Sequence, residues 1–88
     1  MYVILVYDFG EKRVNKMLKL CRKYLNWIQN SVFEGEISEA KLKELLMQSD
    51  KFMDKNEDSI IIFSGPSQKA LDTVSYTHLR AHETSAHL

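Results

Sequence analysis

Residues 2–21 read YVILVYDFGEKRVNKMLKLC, and the change of period inside this stretch decides the fold. Residues 2–7 are β-branched, aliphatic or aromatic without interruption. Such a run predicts a strand buried on both faces, near the centre of a sheet. It ends on Asp8, and Phe9-Gly10 breaks the pattern. From residue 12 the spacing becomes helical: Val14, Met17, Leu18, Cys21, Tyr24 and Leu25 share one face, which predicts an amphipathic helix over 12–25. Lys12, Lys16, Lys19 and Lys23 recur on the opposite side as a cationic stripe.

Further along, NWIQNSVFEGEI (residues 26–37) is rich in strand formers and predicts two strands joined by a tight turn or bulge near 29–31, with Gly35 as a second candidate bulge. Ser38 offers a helix cap and Glu39 an acid in the first turn, where the helix dipole favours it. A second helix is expected over 39–53, burying Leu42, Leu45, Leu46, Phe52 and Met53, with Ser49 as a polar residue on that face. Residues 56–58 read as a turn, and SIIIF (59–63) as another buried strand closed by Gly65-Pro66. The order strand, helix, strand, strand, helix, strand predicts an α+β, ferredoxin-like βαββαβ fold. Its four-stranded antiparallel sheet would carry both helices on one face.

At 88 residues the chain is one small domain, and domains of this size gain from oligomerisation. The single cysteine, Cys21, excludes an intrachain disulfide and a Cys-rich zinc site; on the buried stripe it should be inert. The run at 2–7 is too short for a secretory core or a membrane span, so a soluble, cytoplasmic protein without membrane contact is expected. The formal net charge of zero hides an asymmetry: residues 8–23 hold six basic groups against two acids, whereas 34–58 hold eight acids against four lysines. A local positive patch is compatible with a neutral protein.

The domain is expected to close at residue 73. All three histidines lie beyond it, at 78, 82 and 87. The run VSYTHLRAHET (74–84) lacks a helical or strand period and resembles one reading frame of a sequencing adapter. Residues 74–88 are therefore expected to be a non-native, disordered tail, and its histidines no metal site. Without them residues 1–73 contain no histidine, and Ser–His or Cys–His nucleophilic catalysis lacks its base.

Asp8 is the leading candidate for chemistry. A carboxylate at the exit of a buried strand stands near solvent on a rigid element, and oxygen donors of this kind suit magnesium or manganese. One carboxylate makes a poor metal site, but a two-fold homodimer can bring the same residue from both copies to its axis. The lysine stripe, with no acid along 12–23, is suited to phosphate contacts that hold a backbone without reading bases. Glu34 and Glu36 are better read as the wet face of a sheet than as an acid–base pair. Trp27 and Phe33 fit packing better than base stacking. No phosphate-loop motif is present.

Taken together, MYVILVYD, the basic helix, NWIQNSVFEGEIS and DSIIIFS resemble the small CRISPR-associated endoribonuclease family, the non-integrase member of the spacer-acquisition pair. The resemblance runs from residue 1 to about 71 and is most specific at QNSVFEGEI and the strand ending in Tyr-Asp. It implies a ferredoxin-like homodimer in which Asp8 faces its twin, holds a divalent metal, usually Mg2+ (Mn2+ being possible), and serves catalysis. It implies metal-dependent phosphodiester hydrolysis of RNA or DNA, and a partnership with the CRISPR integrase subunit. Ser31, Val32 and Phe33 fall on the family's strand motif near the dimer interface, and Lys12, Arg13 and Lys16 in its basic region after the aspartate; with Lys19 and Lys23 of the lysine stripe these are the expected nucleic-acid-binding residues. The sequence departs from the pattern at Phe9, where an aliphatic residue is common, and after about Thr73. Two functions follow: a magnesium-dependent endonuclease, or a non-catalytic architectural adaptor that bridges integrase dimers and holds duplex DNA. Asp8→Ala separates them.

Overall fold

The computed structural model describes residues 1–54 and 56–67, and the backbone alone of residues 75–80. Five strands and two helices follow one another as β1 (Tyr2–Asp8), α1 (Val14–Cys21), β2 (Asn26–Gln29), β3 (Val32–Glu36), α2 (Glu39–Asp50), β4 (Ser59–Gly65) and β5 (Ser75–Arg80). The sheet is antiparallel throughout, in the order β2-β3-β1-β4-β5. The first four of these strands and the two helices form the expected ferredoxin-like arrangement, with β1 inside the sheet.

Side chains alternate across the pleat. On one face Val3, Leu5 and Tyr7 of β1, Phe33 of β3, and Ile60 and Ile62 of β4 form the core with Met17, Cys21 and Leu45 from the helices. Tyr7 stacks on Phe33, their rings 6.2 Å apart, and meets Phe9 edge-on at 5.6 Å. Ser49, the polar residue on the buried face of α2, is nearly inaccessible, and its hydroxyl donates to the Leu46 carbonyl at 2.8 Å. A burial cost that would otherwise fall on the helix is thereby met locally.

Both helices are shorter than their apolar spacing predicts. Before α1 the chain turns through residues 11–13, where the Arg13 and Val14 amides both donate to the Gly10 carbonyl. After Cys21 it tightens, with Lys23 donating to Leu20, and Tyr24 and Leu25 both donating to Cys21. Helix α2 starts where expected: the Ser38 hydroxyl accepts from the Lys41 amide at 3.1 Å. The β2–β3 connection is the two-residue turn Asn30-Ser31, with Asn30 at φ 45°, a conformation Asn tolerates better than most residues. The bulge near it falls in β2, between Trp27 and Gln29. Gly35, expected as a second bulge, keeps the β1–β3 register unbroken. Its φ of 154° is a backbone setting that suits glycine, and Leu25 and Asn26 lie at contact distance from where a side chain would begin.

The backbone of Ser75–Arg80 differs from the expectation of disorder: it pairs as β5 with β4, from Ser59 opposite Arg80 to Ser64 opposite Ser75. Strand pairing draws on main-chain groups, and the outer edge of β4 offers a row of them to any extended segment. The expected domain boundary at 73 and the last eight residues of the expected tail lie outside the described residues. Among the described residues, no helix is long and apolar enough to cross a membrane.

Candidate nucleic-acid and metal site

Asp8 is the last residue of β1 and pairs with Ser59 of β4. Its parity in the strand is that of Ile4 and Val6, so it stands on the sheet face opposite the helices. It is exposed, and no described residue hydrogen-bonds or ion-pairs with its carboxylate. The same face presents Ile4 and Val6 of β1, Val32 of β3, and Ile61 and Phe63 of β4, all half-buried. The registers align them in rows: Val32, Val6 and Ile61, then Glu34, Ile4 and Phe63. The expectation that β1 is buried on both faces therefore holds on the helical side alone within one chain. The other side is an apolar surface with an acid at one end.

Of the three residues expected at a dimer interface, Val32 lies on this open face and Ser31 in the turn beside it. Phe33 does not: it is fully buried among the core aromatics. Adjacent residues of a strand point to opposite faces, so Val32 and Phe33 cannot both reach one partner. Glu34 and Glu36 are on the open side as expected. Burial and the neighbouring Glu34 push the Tyr2 phenol above its ordinary pKa. Trp27 is not packed in the core: it is half-exposed, donates its indole N–H to the Asn30 carbonyl at 2.9 Å and lies under the Arg22 guanidinium, 5.8 Å from the ring centre.

The basic residues divide into two sets. Lys16, Lys19 and Lys23 project from α1 and its C-terminal turn into a groove of about 290 Å³ between the helices, which Lys51, Gln48, Leu20 and Phe52 complete. No acid lines it. The Lys16 ammonium sits over the Phe52 ring at 5.4 Å. Lys12, in the turn before α1, is exposed as expected. Arg13, expected to contact phosphates, is instead engaged by carboxylates. Its Nε donates to Asp58 Oδ2 at 2.6 Å, and its Nη2 to Asp58 Oδ1 at 3.2 Å and to Glu57 Oε1 at 3.1 Å. A guanidinium engaged as a fork by two carboxylates has little charge left to offer a phosphate.

Asp58 is the residue that sequence reading missed. Its side chain is 0 % exposed, yet it accepts from the Gly10 amide at 2.7 Å and the Asp54 amide at 2.8 Å as well as from Arg13. Burial works against its charge, but these donors prevail and hold the carboxyl below its ordinary pKa; the same contact raises that of Arg13. A side chain at Gly10 would run into the Arg13 and Glu57 head groups, so glycine is what lets the turn close on them. One signal was available: Arg13 is out of phase with the lysine spacing.

Cys21 is fully buried, and burial pushes its thiol up to about 12, which makes it inert as expected. No group of three or more His, Cys, Asp or Glu side chains that could hold a metal ion exists among the described residues. A concavity of about 610 Å³ between α2 and β4, lined by Met1, Leu42, Leu46 and Ile62 among others, does not include Asp8.

Comparison with known proteins gives a consistent picture. The family described as "CRISPR associated protein Cas2" matches residues 1–72. The "CRISPR-associated endoribonuclease Cas2" of Thermotoga maritima is 50% identical over 72 residues, which cover 82% of this chain and 83% of that protein. The protein of the same description from Pyrococcus furiosus is 45% identical, covering 84% and 87%. Among solved structures, one described as "Crystal structure of cas2" superposes with a TM-score of 0.73 at 48% identity, over 77% of each chain. The Streptococcus pyogenes Cas2 structure superposes with a TM-score of 0.70 at 28% identity, over 77% of this chain and 89% of that one.

Proposed function

The chain belongs to the CRISPR-associated protein Cas2 family of CRISPR adaptive defence, and on that premise we propose that it is an endonuclease working as a homodimer. It would hydrolyse phosphodiester bonds of RNA or DNA, and act in spacer acquisition beside the CRISPR integrase subunit. The observation that carries this reading is the open face of the sheet. Ile4, Val6, Val32 and Ile61 are half-buried there, with Asp8 at one end of the same face. An apolar face of a small domain is stabilised by a second copy, and an isologous pairing repeats each residue across its axis.

The donor chemistry fits Mg2+, with Mn2+ as a substitute. Among the described residues Asp8 is an unpaired oxygen donor on a rigid strand, and magnesium is commonly held by one or two carboxylates and several waters. Among the described residues no second acid joins Asp8 in a metal-binding group, so the two Asp8 carboxylates of a dimer would hold the ion. When bound, it supplies positive charge to the scissile phosphate and eases deprotonation of the attacking water. Lys12, Lys16, Lys19 and Lys23 hold the backbone of the strand by its phosphates, with Lys51 joining them. Asp8→Ala tests the reading directly. Loss of magnesium-dependent cleavage, with dimer and nucleic-acid affinity intact, is expected; cleavage at the wild-type rate overturns it.

A second reading, a non-catalytic adaptor that bridges integrase dimers and cradles duplex DNA, is favoured by the lysine-lined groove. It needs no reacting group, and spacer acquisition in cells by Asp8→Ala would support it. The adapter-like run at 74–84 is proposed to be non-native, and sequencing the gene downstream of codon 73 tests that.

A further inference from the structure

The Arg13–Asp58 ion pair, enclosed on the Asp58 side, joins two loops that are remote in sequence and adjacent in space. One is the β1–α1 turn that leaves Asp8. The other is the α2–β4 turn that delivers Ser59, the pairing partner of Asp8. Asp58 immediately precedes Ser59, and its Oδ1 accepts the amide of Gly10, two residues past Asp8. Its Oδ2 takes the Asp54 amide and Arg13 Nε. Asp54 orders the rest of that turn, its Oδ1 accepting the Asn56 and Glu57 amides at 2.7 and 3.2 Å. The main chain around Asp8 is therefore fixed by the β1–β4 ladder at Ser59 and, beyond it, by Asp58 at Gly10. Every hydrogen bond to the Asp58 carboxylate runs to one of these two loops.

We propose that Asp58, locked by Arg13, is a positioning residue that sets the Asp8 carboxylate on the open face. Fixing a carboxyl to within a fraction of an ångström requires a supporting shell of this kind, because a ligand at the end of a strand is otherwise free to fray. Asp58 touches neither substrate nor metal; it acts through the backbone of residues 8–10. The inference rests on the reading of Asp8 as the reacting carboxylate.

Asp58→Asn and Arg13→Gln test it in the full chain, with Asp8→Ala beside them. Hydrogen exchange at the Gly10 amide is measured against the core amides of Val3 and Leu5. Affinity for Mn2+ is read from paramagnetic broadening around Asp8. The proposal expects faster exchange at Gly10 than the core change accounts for, and Mn2+ affinity lower by about 10-fold, the low end of the cost of losing an outer-shell partner, because Asp58 reaches Asp8 through the backbone alone. Nuclease activity should then return as the metal concentration is raised. A variant with a lower melting temperature but unchanged Gly10 exchange relative to the core, and unchanged Mn2+ affinity, overturns the proposal and leaves the pair as a brace for the fold alone. Should Asp58→Asn fail to fold, Arg13→Lys, which keeps one bond to Asp58 and gives up the fork, is measured in its place with the same expectations. If Asp8→Ala leaves Mn2+ affinity untouched, the reading of Asp8 as a metal ligand fails, whereas the Gly10 exchange still judges the positioning role.

Discussion

Asp58 keeps its negative charge while its side chain is closed to solvent, so its surroundings are part of the protein's stability. Because its folded pKa is depressed, it contributes stability above the ordinary carboxyl range, and that contribution is lost as pH falls through the folded value. Circular dichroism through acid titration should show stability falling below about pH 4, and Asp58→Asn should flatten that fall. Arg13→Ala leaves the enclosed Asp58 carboxylate without its counter-charge and should lower the denaturant midpoint. Glu57 is 64% exposed, and exposed pairs contribute little, so Glu57→Ala should be close to silent. This scale is where sequence reading was weakest. Arg13 and Asp58 are 45 residues apart; no periodicity links them, and both looked like surface charges. The position of Asp8, by contrast, was legible, because it closes an apolar strand.

Elements were legible where one period dominates. Strand β1 and helix α2 begin at the expected residues, since a continuous apolar run and a serine cap are local signals. The ends of α1 were not legible: residues 11–13 form a turn closed on the Gly10 carbonyl, with Arg13 held by Asp58, and helical spacing does not report such tertiary contacts. Nor was β5, whose pairing depends on a free main-chain edge rather than on its own pattern. The lysines of α1 and of the turn after it line one groove, and salt dependence tests whether they bind phosphate. Each of Lys16→Gln, Lys19→Gln and Lys23→Gln should reduce the slope of log affinity for duplex DNA against log salt by roughly 0.9. Arg13→Gln should leave it nearly unchanged, because its charge is already spent on Asp58 and Glu57. A flat salt dependence of the parent protein would remove the groove from the function.

For the whole molecule the decisive fact is an imbalance between the sheet's two sides. Both described helices cover one; on the other, Ile4, Val6, Val32 and Ile61 keep partial contact with solvent. The uniform apolarity of residues 2–7 announced that both sides of β1 would be covered, but a sequence does not say whether the cover comes from the same chain. Sedimentation should give a dimer, and Ile61→Lys a folded monomer, its circular dichroism unchanged and its metal-dependent cleavage lost with the second carboxylate. An Ile61→Lys protein that still sediments as a dimer would place the contact elsewhere.

The shared parity of Asp8, Val6 and Ile4 couples two properties usually thought separable. A single-residue insertion or deletion inside the first strand would turn the acid inward among the aromatics and present core aliphatics outward. Adhesion and reactivity would therefore disappear together, and the spacing between them can drift only in steps of two residues.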